Sequence, residues 1–337
     1  MSLLFEPFSI RQLQLKNRLV MAPMCTYEAA NDGRVTDFHF THYESRAIGG
    51  VGLIIQEATS VVPEGRISAN DLGIWEDAQI EGLQKLTTSL KKYGTIPGIQ
   101  LAHAGRKATV EGQIVAPSAI AFDEQSRVPH ELSIDEIDEV VLHFKRAAER
   151  AIQAGFDVLE IHAAHGYLIH EFLSPLANKR QDAYGGSAEN RYRLLGRIID
   201  AIRDIWDGVL FVRVSADDYT EGGLVAEDYV PFAQWMKAQG VDLIDVSTGA
   251  VVHAKIDAFP LYQVPHAATV RQGGLPVGAV GLITTAEQAE HVLQQQQADV
   301  ILIGRELLRD PYFAYHAAKQ LGHTMKPAIP VYERAWQ

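Results

Sequence analysis

Apolar, β-branched runs alternate with helix-period stretches along the whole chain. The runs fall at 18–22, 53–57, 98–101, 158–162, 210–215, 243–247, 276–280 and 300–304. Most are hydrophobic at every position rather than at alternate ones. That pattern predicts parallel strands whose outer faces are covered by helices. The stretches between them carry start and stop signals. Ser133 with Glu136 forms a capping box ahead of Ile137, Val140, Val141, Phe144, Ala148 and Ile152, and Gly155 ends that helix. Ser187 opens another helix, with Leu194, Leu195, Ile198, Ile199, Ile202 and Ile205 on one side and Gly208 after it. Thr284 with Glu287 reads as a second capping box, and Gly240 closes a helix that begins near Ala226.

Eight strand–helix alternations imply right-handed parallel crossovers. The closed arrangement is an α/β fold of the (β/α)8 TIM-barrel type, expected here as one domain over residues 1–337. An open doubly wound sheet is the competitor. The dinucleotide fingerprint that favours it is missing, because Gly50-Val51-Gly52 precedes a strand and Ile55 stands at the third glycine position. Three pieces depart from the simple repeat. Residues 8–15 read as an N-terminal hairpin that closes the barrel floor. The third βα connection, 106–129, is long and holds Gly112, Pro117 and Pro129, which makes it a lid candidate. The connection 162–189 is also long.

Composition narrows the partners. The 337 residues are 47% hydrophobic and 21% charged, with a formal net charge of -12. Such an acidic chain has no field to attract phosphate backbones or anionic lipid, so nucleic acid and membrane are not expected partners. No apolar run approaches the ~20 residues of a membrane helix. The first residues lack the basic and apolar parts of a signal peptide. One cysteine, Cys25, excludes an internal disulfide and suits a reducing compartment. A cytoplasmic location is the expectation.

The chemistry concentrates at strand ends, where barrel enzymes keep their active sites. The fourth run ends in Glu160-Ile161-His162-Ala163-Ala164-His165-Gly166-Tyr167. Two imidazoles can hold an oxygen that gains negative charge, and a phenol can deliver a proton. The same imidazoles could ligate a metal with Cys25 or His103, or serve as structural histidines. His170 and Glu171 follow at helical spacing and are expected to point away. Gly281 and Gly304, at the ends of the seventh and eighth runs, let backbone N–H groups approach a phosphate, and Arg305 adds a positive fork. They could equally be strand terminators. Arg213 sits inside an apolar strand and needs an anionic or hydrogen-bonding partner, structural or ligand. Gln100, also inside a strand, can both donate and accept.

These motifs together resemble a known family. Lys16-Asn17-Arg18, Ala22-Pro23-Met24-Cys25, Gln100-Leu101-Ala102-His103-Ala104-Gly105-Arg106, the 162–167 segment, Arg180-Gln181-Asp182-Ala183-Tyr184-Gly185-Gly186-Ser187 and Ile303-Gly304-Arg305 carry the likeness. It is to the old yellow enzyme family of FMN-dependent ene-reductases, and within it to the bacterial branch of NADPH dehydrogenases and xenobiotic reductases with thermophile-type members. The founding branch has a threonine where this chain has Cys25, and an asparagine where it has His165. The resemblance implies FMN held by Ala22, Pro23, Met24, Cys25, Ala58, Gln100, Arg213, Gly304 and Arg305, with Cys25 tuning the flavin. It implies NADPH as reductant, and α,β-unsaturated aldehydes, ketones and related electron-poor alkenes as substrates. Flavin N5 would pass hydride to the alkene, His162 and His165 would hold the carbonyl oxygen, and Tyr167 would protonate the adjacent carbon. Tyr27 would contact substrate as well. Tyr332-Glu333-Arg334-Ala335-Trp336 resembles a segment whose arginine enters the neighbouring subunit's site, in a homodimer or homotetramer. Two competing readings remain: a metal-dependent lyase or hydrolase on the same barrel using Cys25, His162 and His165, and a barrel that binds without turnover.

Overall fold

In the computed structural model, which describes residues 2–335, eight parallel strands close into one barrel in chain order. They are β1 (Leu19–Met21), β2 (Leu53–Ser60), β3 (Ile96–Ala102), β4 (Val158–Ala163), β5 (Val209–Ser215), β6 (Leu243–Ser247), β7 (Val277–Ala279) and β8 (Val300–Ile303). The ring closes where β1 pairs with β8 on one side (Leu19 opposite Ile301) and β2 on the other (Val20 opposite Leu53). Every apolar run of the sequence is one of these strands. The helices are α1 (Asp37–Ile48), α2 (Ile80–Lys92), α3 (Ile134–Gln153), α4 (Leu168–Leu173), α5 (Ala188–Arg203), α6 (Tyr229–Ala238), α7 (Val264–Val270), α8 (Ala286–Gln294), α9 (Arg305–Arg309) and α10 (Phe313–Gln320). All residues of β2, β4, β5 and β6 are buried, which explains their unbroken apolarity: helices cover one face and the barrel interior the other.

The local signals act as their chemistry dictates, with two corrections. Ser133 Oγ accepts from the Glu136 N–H, and the Glu136 carboxylate accepts from the Ser133 N–H at 2.7 Å. At α8 the capping box is Thr285 with Gln288, one residue later than the Thr284/Glu287 pair. Gln288 also accepts from the Thr284 N–H, so the first turn gathers three donors that the earlier register would leave open. Helix α5 ends at Arg203, and Ile205 lies beyond it.

An antiparallel hairpin, Phe8–Ile10 with Leu13–Leu15, turns through Arg11 at φ 47°. Its Ile10 and Leu15 pack with Val20, Leu53, Val158, Val209, Leu243 and Val300 and seal the floor of the barrel. At the opposite end, the 106–129 connection folds back through a two-residue parallel bridge between Val115–Ala116 and His130–Glu131. It covers a small apolar cluster of Ala104, Ala108, Val110 and Ile114, with Tyr167 packed against it.

Candidate active site

The parallel register brings polar side chains from neighbouring strands to one level of the barrel. Gln100 pairs with Glu160, His162 with Arg213, and Arg213 with Asp245. Each of these five is no more than 5% exposed. Buried polar groups need partners, and some of these find them on neighbouring elements. Gln100 Nε2 donates to Glu160 Oε1 at 2.8 Å. Arg213 Nη1 donates to the Pro23 carbonyl at 3.3 Å, and its Nε lies 3.0 Å from Asp245 Oδ2, off the line of a hydrogen bond. Burial raises the Asp245 carboxyl while Arg213 pulls it down; burial and then Asp245 raise Glu160. Arg213 thus has the structural carboxylate partner that its place in an apolar strand demanded. Glu160 and Asp245 carried the same sequence signal, an ionisable residue inside a strand, and were passed over.

The end of β4 is tightly specified. His165 at φ 58° and Gly166 at φ 69° turn the chain back on itself. A Cβ on Gly166 would lie 2.0 Å from the Ala250 carbonyl oxygen, so only glycine fits. The turn sets the His162 ring edge-on to both neighbours, 5.2 Å from the His165 ring and 5.1 Å from that of Tyr167. The His165 backbone N–H donates to Ser215 Oγ at 2.9 Å, and its Nε2 lies 2.8 Å from Ser247 Oγ. His162 Nδ1 is buried with no hydrogen-bond partner among the described residues. Burial, and then the Arg213 charge, hold both imidazoles well below their ordinary range. Burial likewise pushes the Tyr167 phenol up. Lys107 donates to the carbonyls of His165 (2.9 Å) and Ala250 (3.2 Å) and lies 5.2 Å from the Tyr167 ring centre.

Beside these groups stands the end of β1. Cys25 is a free, half-buried thiol, pushed up to about 12 by burial and then by Glu57 and Asp71. Glu57 anchors the next residue, accepting from the Thr26 N–H at 2.6 Å and from Tyr43 Oη at 3.0 Å. Tyr27, at φ 58°, is 47% exposed. Ala22 and Ala58 are buried, and Met24 is half-buried.

A cavity of about 230 Å³ opens between the ends of β6, β7 and β8, next to His165 and Arg213. Gly281 and Gly304 line it together with Gln263, Thr248 and Arg305. At Gly281, with φ 119°, a Cβ would come within 2.9 Å of Gln263, and at Gly304 one would meet Met24 Sδ at 3.4 Å. Backbone is therefore bare on two sides of the cavity. Arg305 is exposed and has no partner among the described residues. These groups fit FMN: bare backbone and a free guanidinium suit an anionic tail, while Gln100 and Arg213 suit the polar edge of a flat ring.

Other expectations fare differently. His170 and Glu171 do not point away; both are fully buried beneath the site. Helix α4 is only six residues long and enclosed on all sides, so it has no solvent face for them. Arg334 lies exposed in the terminal 3-10 segment Pro330–Ala335, apart from the residues gathered here, and Trp336 falls outside the described residues. Among the described residues, no three His, Cys, Asp or Glu side chains converge as a metal-ligand set. The lyase or hydrolase built on Cys25, His162 and His165 therefore lacks its ligands. Lys107, Ser247 and Gln263 had no sequence signal strong enough to single them out.

Comparison with known proteins places this arrangement. Residues 3–324 match the model of the NADH:flavin oxidoreductase / NADH oxidase family. The chain is 61% identical over 335 residues to an NADPH dehydrogenase of Bacillus subtilis strain 168, covering 99% of each. Its fold is similar to that of an old yellow enzyme homologue from Zymomonas mobilis, with a TM-score of 0.82, 31% identity and 94% and 92% of the two chains covered. It is also similar to a 2-naphthoyl-CoA reductase solved with 2-naphthoyl-CoA (TM-score 0.90, 26% identity), where it covers 95% of its own length but 52% of the other chain. The chain belongs to the NADH:flavin oxidoreductase / NADH oxidase family, the family of the old yellow enzymes, and is an FMN-dependent NAD(P)H oxidoreductase.

Proposed function

We propose that this protein uses NADPH to reduce the C=C bond of α,β-unsaturated aldehydes, ketones and related electron-poor alkenes. One observation carries the reading: the His162 ring stands perpendicular to both His165 and Tyr167 at the mouth, with its Nδ1 unsatisfied and both imidazoles neutral. The 61% identity to an NADPH dehydrogenase over nearly all of both chains supports the choice of reductant.

FMN, when bound, supplies two-electron exchange with NADPH and with the alkene. Ala22, Pro23, Met24, Cys25, Ala58, Gln100, Arg213, Gly281, Gly304 and Arg305 would hold it. The protein's own part is placement and charge. Neutral His162 and His165 offer N–H donors to the substrate carbonyl oxygen. Such donors pull on an oxygen that gains charge without adding a proton to it, and each is typically worth about 3–4 kcal/mol. Tyr167 gives its phenolic proton to the α-carbon. Burial keeps that phenol protonated across the working pH range, so the proton is present whenever substrate arrives. Solvent at the mouth restores it. Arg213 keeps a fixed positive charge under the site, partly balanced by Asp245. Tyr27, half-exposed beside Cys25, would border the substrate.

The assembly reading rests on surface chemistry. Val331 and Tyr332 are exposed beside Arg334, which supports docking of this segment on a second copy, as a homodimer or homotetramer, with the arginine entering the partner's site. The single thiol and acidic surface support a cytoplasmic location. One closed barrel supports a single domain.

The test is anaerobic spectroscopy of the purified protein. Flavin absorbance should bleach with NADPH and return on adding 2-cyclohexenone. Bleaching without recovery by any electron-poor alkene would defeat the ene-reductase reading.

A further inference from the structure

Helix α4 begins immediately after Tyr167, and its His170 faces back toward the turn that carries the chemistry. His170 Nδ1 accepts a hydrogen bond from the Gly166 N–H at 2.9 Å. A nitrogen that accepts carries no proton, so the hydrogen of the neutral ring sits on Nε2. Nε2 lies 3.0 Å from Asp218 Oδ1, at an oblique angle. Both side chains are fully buried. The other Asp218 oxygen accepts from Ser174 Oγ at 2.7 Å and from the Leu224 N–H at 2.8 Å. Burial pushes the Asp218 carboxyl up, but His170 and these donors outweigh it and hold the group low, so it is a carboxylate.

This is a costly arrangement to bury without a purpose. A desolvated carboxylate needs fixed partners, and the imidazole it faces has one other contact that matters. That contact, Gly166, lies between His165 and Tyr167. The glycine cannot be replaced by a bulkier residue that would lock the turn sterically, because the Ala250 carbonyl fills the space where a Cβ would go. The turn has its own closing bond, Tyr167 N–H to the Ala164 carbonyl at 3.2 Å, and is held from outside as well. His170 does this from one side. Lys107 takes the His165 carbonyl from the other.

We propose that Asp218 and His170 are positioning residues for the reaction: Asp218 fixes the tautomer of His170, and His170 pins Gly166, so that the His165 ring and the Tyr167 phenol keep one separation. Neither touches substrate or cofactor. The assignment of a catalytic consequence rests on the proposed ene-reductase function; the pinning of Gly166 does not. A charged residue that orients an imidazole through its far nitrogen is a recurrent device wherever a ring must present one particular atom. Here the atom presented is an acceptor, and what it steers is backbone.

The experiment has two readouts. Amide exchange at Gly166 is followed by NMR in the FMN-bound protein, for wild type, His170→Phe, His170→Asn and Asp218→Asn. His170→Phe removes the acceptor and should speed exchange at Gly166 about tenfold or more. His170→Asn keeps an acceptor near the Nδ1 position and should restore most of the protection. Asp218→Asn can present an amide N–H to Nε2, which reverses the tautomer and should also speed exchange. In the holoenzyme, His170→Phe should slow enone-driven reoxidation on the order of tenfold to a hundredfold, with NADPH-driven bleaching changed less than about threefold. His170→Asn should recover most of that rate.

Unchanged Gly166 exchange in a folded His170→Phe overturns the pinning. Equal loss in both half-reactions overturns the positioning role and leaves only a structural one. If His170→Phe does not fold, Asp218→Asn carries the same two comparisons. A wild-type enzyme that bleaches with NADPH but is reoxidised by no alkene defeats the proposed function alone, and the exchange rates still decide the pinning.

Discussion

The two ends of the barrel are built from the same eight strands and could hardly differ more in chemistry. At the floor, β4, β5, β6 and β8 contribute Val158, Val209, Leu243 and Val300, closed by Ile10 and Leu15 of the hairpin. Two or four residues further along the same strands stand Glu160, His162, Arg213, Asp245 and Ser247. The floor is apolar inside, and its polar contacts, such as Arg11 with Asp242 and the Gly240 carbonyl, lie at the rim. The mouth holds buried charges that must be paired, and several polar atoms there remain unsatisfied. The contrast separates two jobs along one strand: the first residues supply stability, and the last ones spend part of it on preorganised polar groups. Substitutions at the mouth should therefore change chemistry more than stability, and those at the floor the reverse.

The largest break in that comparison should come from Tyr167→Phe. Loss of the proton donor is expected to slow enone-driven reoxidation by ~10²–10⁴-fold, with flavin reduction by NADPH little changed in stopped-flow traces. An equal loss in both half-reactions would contradict the proton-donor role. Next comes His162→Ala, which removes one N–H donor. It should weaken binding of phenolic ligands that mimic the enolate by ~10²-fold, read by spectral titration, with the melting temperature nearly unmoved. Unaltered affinity would take His162 out of the oxygen-binding role.

Leu15→Ala is the counterpart at the floor. It empties part of the plug and should cost about 2–5 kcal/mol in denaturant unfolding, while the phenolic-ligand affinity stays at the wild-type value. A matching loss of affinity would show that floor and mouth are not separable. The last test is the most specific. Burial pushes the Glu171 carboxyl up to about 8, against about 4.5 when unfolded. Between those values the folded protein keeps a proton that the unfolded chain has lost. Stability therefore falls as pH rises through this window, by up to ~1.4 kcal/mol per unit, and the loss is complete above about pH 8. Glu171→Gln lacks this loss. Its melting temperature relative to wild type should climb from pH 5 to pH 8 and then level off; a constant difference would mean that Glu171 is ionised in the folded protein.

The fold was legible because its parts obey local rules. Runs buried on both faces are apolar throughout, and each one proved to be a barrel strand. The hairpin was visible in 8–15 because polar Arg11 and Gln12 interrupt alternating Phe8, Ile10, Leu13 and Leu15. The candidate site was legible at strand ends, where His162 and Arg213 are out of place by any packing rule and Gly281 and Gly304 leave backbone bare. What stayed hidden depended on three-dimensional proximity. Helical spacing pointed His170 and Glu171 outward, but that inference assumes a helix with one wet face, and α4 has none. The α8 cap was misplaced by one residue, because Thr284 and Thr285 each precede a suitable side chain at the same spacing and only the first turn's donors choose between them. Asp245 was missed as the partner of Arg213, since pairing across strands is set by register rather than by sequence neighbourhood.

The hairpin beneath the barrel has a kinetic meaning as well as a mechanical one. The barrel interior is packed with side chains and capped below, so on the proposed function reductant and alkene would both enter at the mouth and take turns there. Turnover of that kind gives parallel lines in double-reciprocal plots, and excess of either reactant should obstruct the other.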